Sequence, residues 1–242
     1  MKTQNNLILV AAISILLSGQ TYSQILLEET HITPPGFPNK EILVQGDDAT
    51  SIHEFLAKNI IYPIHDEKGV PVGTEVVQFE ITAEGNISSF KVINSISPEI
   101  DAALIRILKT TGGYWIPGVI NGIPTSMTRE VSLVFKPYPG YDLVGNARKL
   151  QGKANEFLFE KNDPKRALNY YNRAYKLLPY EECILAARCL CRYEIGDEKG
   201  YAEDVGRLIA IHPKSYNDKG SWTPSDWITH LELSALQFTD SR

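Results

Sequence analysis

A surplus of positive charge is missing from this chain: 24 Lys and Arg stand against 29 Asp and Glu, a formal charge of −5 over 242 residues. Nucleic-acid binding wants a basic face to neutralise phosphates, so the charge balance gives it no support. The cations are scattered singly along the sequence, which argues against a polybasic membrane patch as well. Cysteine is scarce. Cys183, Cys189 and Cys191 form an odd set within one predicted helix. A regular helix holds them beyond disulfide reach of one another, so they read as small buried apolar side chains. No His or Cys stands at ligand spacing beside them, and no metal is expected.

Catalytic signatures are lacking too. His53-Glu54 sits on a predicted helix without a second His four residues on, so the zinc-protease pattern fails. His65-Asp66-Glu67 falls in a predicted loop without convergent partners; a metal-assisted hydrolase built on these three is the least supported reading. Asp47-Asp48 precedes a helix, where carboxylates favour the positive end of its dipole. Nucleophile elbows, phosphate-cradling glycine loops and paired-Cys motifs are absent. The expectation is a protein without catalytic residues or cofactor.

Long apolar runs are the last absence. Residues 7–17, behind Lys2, are the most apolar stretch, and they fall short of the roughly 20 residues that cross a bilayer. Small residues follow at 18–23, with Thr21 and Ser23 suited to cleavage before Gln24. Residues 1–23 therefore read as a cleaved signal peptide and the mature chain as periplasmic. No Cys follows Leu17-Ser18-Gly19 to accept a lipid. An uncleaved leader anchored in the inner membrane is the alternative.

What is present is an ordinary globular balance, 43% hydrophobic and 22% charged, long enough for one or two domains with real cores. Residues 24–47 carry Pro34-Pro35-Gly36 and Phe37-Pro38 and read as irregular, with a short strand at 41–44. Ser51-Ile52-His53-Glu54 has the form of a capping box, and Ile52, Phe55, Leu56 and Ile60 continue one face. That helix must stop before Pro63, because Tyr62 is pushed toward extended geometry. A strand follows with Val77, Phe79 and Ile81 inward and Val76, Gln78 and Glu80 outward, the period of a half-buried strand. After a turn at Gly85, the second strand puts Phe90 and Val92 together and leaves Ile87 and Ile93 on the opposite face. Ser97 caps a helix opening on Pro98, with Ile100, Leu104, Ile107 and Leu108 as its stripe and Gly112-Gly113 beyond it. Residues 115–120, an Asn121-Gly122 turn and a strand over 125–135 complete the unit. One helical layer on one antiparallel sheet is the expectation.

In series, Tyr62-Pro63, Gly73, Gly85, the helix after Pro98, Trp115-x-Pro117-Gly118 and Asn121-Gly122-x-Pro124 resemble the C-terminal domain of TonB-type proteins over roughly a third of the chain. Val44-Gln45-Gly46-Asp47 departs from the Phe-Pro-Gly-Gly that precedes the first helix in many such sequences. The resemblance implies a last strand at a sheet edge, here Arg129, Glu130, Val131, Ser132, Leu133, Val134 and Phe135. Such a strand accepts an extended segment of an outer-membrane receptor as an added strand, with Arg129 tuning the choice. Trp115 reads as a core anchor rather than a ligand platform. TonB-type energy transduction works through a retained anchor and a long Pro-rich spanner, which this sequence does not show. A soluble envelope adaptor in a Gram-negative cell, possessing a tie to transmembrane transport only through its partners, is the better expectation.

Residues 137–141 form a Pro/Gly hinge between a domain over 48–136 and a helical one over 142–242. There Ala167, Tyr171, Ala174 and Pro179 resemble the spacing of a tetratricopeptide helix pair, and His212-Pro213 repeats Leu178-Pro179 at the 34-residue period of that family. Asn155 stands where the family has Gly, and Tyr201, Val205 and Leu208 make a degenerate second copy. Thr223-Pro224 announces a last helix carrying Trp227, Leu231 and Leu236. The expected fold is therefore α+β followed by a small all-α unit. Its partners are expected to be proteins or extended peptides, and a scaffold binding peptides through the helical half is the rival function.

Overall fold

The computed structural model describes residues 30–37, 51–61 and 69–211. The signal peptide, the strand over 41–44, Tyr62-Pro63, His65-Asp66-Glu67, His212-Pro213 and the helix after Thr223 lie outside the described residues.

Within them the chain is a mixed α+β fold with two small antiparallel sheets. Helix α1 (Ile52–Asn59) starts where the Ser51 hydroxyl accepts a hydrogen bond from the Glu54 amide, at 3.2 Å. It buries Ile52 and Leu56. Strands β2 (Gly73–Ile81) and β3 (Ile87–Asn94) form a hairpin. Helix α2 (Pro98–Lys109) is capped by Ser97 and opens on Pro98, whose missing N–H costs nothing there. Strands β4 (Gly118–Ile120) and β5 (Ile123–Thr125) close on Asn121 and Gly122, both at positive φ, as a two-residue hairpin turn demands. Strand β6 (Met127–Phe135) then leaves that sheet to pair along the whole of β2. The predicted strand over 125–135 is thus divided, since Thr125 belongs to β5 and only residues from Met127 join β2.

Three further expectations are corrected. The N-terminal segment is not wholly irregular: Ile32–Thr33, strand β1, pairs with Ile120 and Val119, and Gly36 bridges to Ile116. Pro34 and Pro35 fall between that two-residue pairing and the Gly36 bridge, so the ladder loses no bond to their missing N–H groups. Phe37 then packs against Trp115 at a tilt, with ring centroids 4.9 Å apart. Second, Ile87 lies with Phe90 and Val92 against the core rather than opposite them. The cause is a bulge. Lys91 pairs with Gln78 but Ser88 with Glu80, so β3 spends one extra residue there, and Ser89 takes φ 53°. Third, helices cover both faces of the β3-β2-β6 sheet. Val77, Phe79, Ile81 and Val131 face α1, α2 and Trp115, whereas Thr74 and Val76 are buried on the other side under the helical half. Burying a side chain such as Phe79 contributes about 1.5–3 kcal/mol.

That half comprises α3 (Leu143–Asn155, continued by a π-turn over Glu156–Glu160), α4 (Pro164–Leu177), α5 (Glu182–Glu194) and α6 (Glu198–Ile211). Asp142 and Asp163 cap α3 and α4. Ala167, Tyr171 and Ala174 are buried on α4, and Pro179 lies buried in the turn after it. The Tyr171 hydroxyl donates to Asn155 Oδ1 at 2.6 Å, which gives the Asn in place of Gly a partner. The three cysteines are buried on α5 and form no disulfide. Burial pushes the Cys183 thiol up to about 12.

Gly73 lies where the end of α4 passes close over β2. Its φ is +146°, and a Cβ would lie 2.6 Å from the Lys176 carbonyl oxygen and 2.9 Å from Ile96. Gly73→Ala is expected to cost about 1–3 kcal/mol, because the obstacle is backbone and cannot swing aside. Urea denaturation of the two proteins checks it, and an unchanged midpoint would show that the junction yields.

Candidate functional site

Strand order makes β6 the flank of its sheet: among the described residues it pairs with β2 alone. Register assigns its side chains. Arg129, Val131, Leu133 and Phe135 stand across from Phe79, Val77, Glu75 and Gly73 on the α1/α2 side, while Glu130, Ser132 and Val134 face the helical half. Val131 and Phe135 are buried, so they are structural rather than presented. Val134 is 57% exposed. A groove of about 510 Å³ runs beside the end of the strand, lined by Leu133 and Val134, by Ala57 of α1 and Ile60 just after it, and by Lys136 to Pro139. Tyr138, in that lining, is 59% exposed.

Glu130, expected as part of the receiving edge, is spent internally. Its carboxylate takes both terminal nitrogens of Arg207 at 2.6 and 2.9 Å and the Tyr180 hydroxyl at 2.5 Å. Such a forked pair is strong and directional. Arg207 also lies over the Tyr180 ring, 5.0 Å from its centroid. Burial, reinforced by the Glu130 carboxylate, pushes the Tyr180 phenol up to about 12. The knot pins α6 and the turn after α4 across the far face of β6. Further along, Thr74 Oγ1 donates to the Leu177 carbonyl at 2.7 Å, and Asn94 Nδ2 donates to the Thr74 and Lys176 carbonyls.

The other expected positions are scaffold. Trp115 is buried, its Nε1 donates to Thr111 Oγ1 at 3.0 Å, and its ring meets Phe79 edge-on. Gly85 at φ +80° passes so close to Trp115 that a Cβ would lie 2.4 Å from the Trp115 carbonyl. Pro117 is half-buried, Gly118 is buried against Met127, and Pro124 is exposed on β5. Asn121 Oδ1 accepts from the His31 amide at 2.8 Å, tying β1 to the hairpin.

Two buried ionic clusters carry no motif. Asp204, 4% exposed, faces Arg188 at 3.2 Å and Arg192 at 3.3 Å, and burial pushes its carboxyl up to about 6. Glu75 is closed to water on β2. Its Oε2 accepts from the Ile96 amide at 2.9 Å, whereas Glu75 Oε1 and Asp101 Oδ1 are buried without a hydrogen-bond donor, and the Asp101 carboxyl helps burial to raise that of Glu75. Among the described residues no group of His, Cys, Asp and Glu is arranged to hold a metal ion, and no helix is long and apolar enough to cross a membrane. No family model, curated protein or solved structure matches the chain.

Proposed function

We propose that this chain is an exported protein-binding module of the Gram-negative cell envelope that receives an extended segment of a partner as a new strand along β6. The observation that carries the reading is the place of β6 at the flank of its sheet, beside a groove. A flanking strand offers N–H and C=O groups that another chain satisfies, and backbone pairing needs little sequence specificity. The first half resembles the C-terminal domain of TonB-type proteins, which receive receptor segments in this way. The second half resembles a tetratricopeptide pair. Its helices are engaged with the sheet through Arg207, Tyr180 and Leu177, which favours a brace for β6 over an independent peptide scaffold.

Successive amides of a strand point to opposite sides, so only alternate residues of a guest bond to β6. A labelled Val/Thr peptide is expected to lose about tenfold or more in affinity when alternate amides in one register are N-methylated, and little in the other register. Fluorescence anisotropy with the mature chain reads this. Equal effects of the two methylation patterns would sink strand addition.

A further inference from the structure

We propose that the partner carries an acidic stretch flanking its added strand, and that a basic groove between α3 and α4 holds it; the inference rests on the strand-addition reading for the rest of the partner. The groove, about 350 Å³, gathers Lys149 and Lys153 from α3 with Arg173 and Lys176 from α4. Among the described residues no carboxylate lines it. The lysines stand four residues apart on one helix face and the α4 pair three apart, spacings at which like charges repel. Two acids act on the cluster from outside it. Glu156 lies near Lys153 but is bonded to Lys161, and the buried Glu75 feels Lys176. Leu150 and Leu177 give the groove an apolar floor, suited to the methylenes of acidic side chains.

Continuity with the β6 groove identifies the occupant as polypeptide. Tyr141 walls the basic groove and Tyr138 the β6 groove, and their rings meet edge to face with centroids 5.6 Å apart. A chain leaving β6 past Tyr138 meets the cations next. The molecule as a whole carries −5, so local attraction to these four cations, rather than the overall field, would draw an acidic segment to the groove.

The test uses the full mature chain and four labelled peptides: Val/Thr alone, a glutamate run alone, and the two joined in each of the two orders. One joined peptide is expected to bind about tenfold tighter than Val/Thr alone at low ionic strength, with the gain lost at about 0.5 M salt and in Lys149→Glu/Lys153→Glu. Both lysines are exposed, so the variant folds, and circular dichroism confirms that. A gain that survives charge reversal, or no gain in either order, overturns the proposal. So does equal binding of single-stranded DNA of matched charge, which would make the groove a general polyanion site. If Val/Thr alone fails to bind, strand addition falls, while the glutamate run still decides the groove through its loss in the variant.

Discussion

Asp204→Ala is expected to remove about 3–5 kcal/mol of folding stability, the range for stripping one partner from a buried ionic cluster. Asp204 stands between Arg188 and Arg192 at 3.2 and 3.3 Å, and both guanidiniums are largely shielded from water. Arg188 is further committed to the Tyr175 ring, 4.0 Å from its centroid, and cannot swing out without giving that contact up. Alanine leaves Arg188 buried without its counter-ion and Arg192 with only the longer carboxylate contacts to Asp197 and Glu203, at 3.7 and 3.9 Å. Urea denaturation should show a lower midpoint with an unchanged slope, since the native fold is weakened rather than remodelled. Replacing Asp204 and Arg188 together by apolar residues of similar volume should recover much of the loss, because the desolvation of both ions is then avoided. A loss under about 1 kcal/mol for Asp204→Ala would mean that water reaches the cluster.

The second large effect is a dependence on pH seated at Glu75. Burial, helped by the Asp101 carboxyl and opposed by the Ile96 amide and by Lys176, raises its carboxyl from the usual range to about 8. Asp101 is held in turn by Ser95 Oγ at 2.9 Å. The folded state therefore keeps a proton that the unfolded chain releases near pH 4.5. Its contribution to stability is whole below that pH, declines as the pH climbs toward 8, and is gone above. Gln in its place presents a carbonyl to Ile96 and an amide to Asp101 without titrating. The stability of Glu75→Gln relative to the wild type should rise by about 1–3 kcal/mol between pH 5 and pH 8, discounted for screening by the polar groups around it, and level off beyond. A constant difference across that interval would place the proton elsewhere.

Legibility differed from element to element for physical reasons. Ser51, Ser97 and Pro98 announced α1 and α2 because a cap satisfies amides within one turn of itself. The Asn121-Gly122 hairpin was equally plain, since few residue pairs accept two positive φ values in succession. The face of Ile87 was misread because period-two counting assumes an unbroken ladder, and Ser89, a residue without the freedom of glycine, hosts the bulge that shifts the phase. Val76 looked solvent-facing because nothing in its neighbourhood tells of helices that arrive a hundred residues later; Thr74 meets Leu177 across 103 positions.

The sequence by itself determined where α1 and α2 begin, which stripe those two helices turn inward, where the Asn121-Gly122 turn falls, and that the three α5 cysteines stay apart, because caps, turns and periodicity act over a few residues. Only the tertiary structure decided that β6 flanks its sheet, that both sheet faces are covered, that Glu130 answers to Arg207 across 77 positions, and that cations scattered along the chain meet in one groove. Those outcomes depend on which elements become neighbours, and helices far apart in the chain become neighbours by burying apolar faces against a common sheet, whatever charges they bring along.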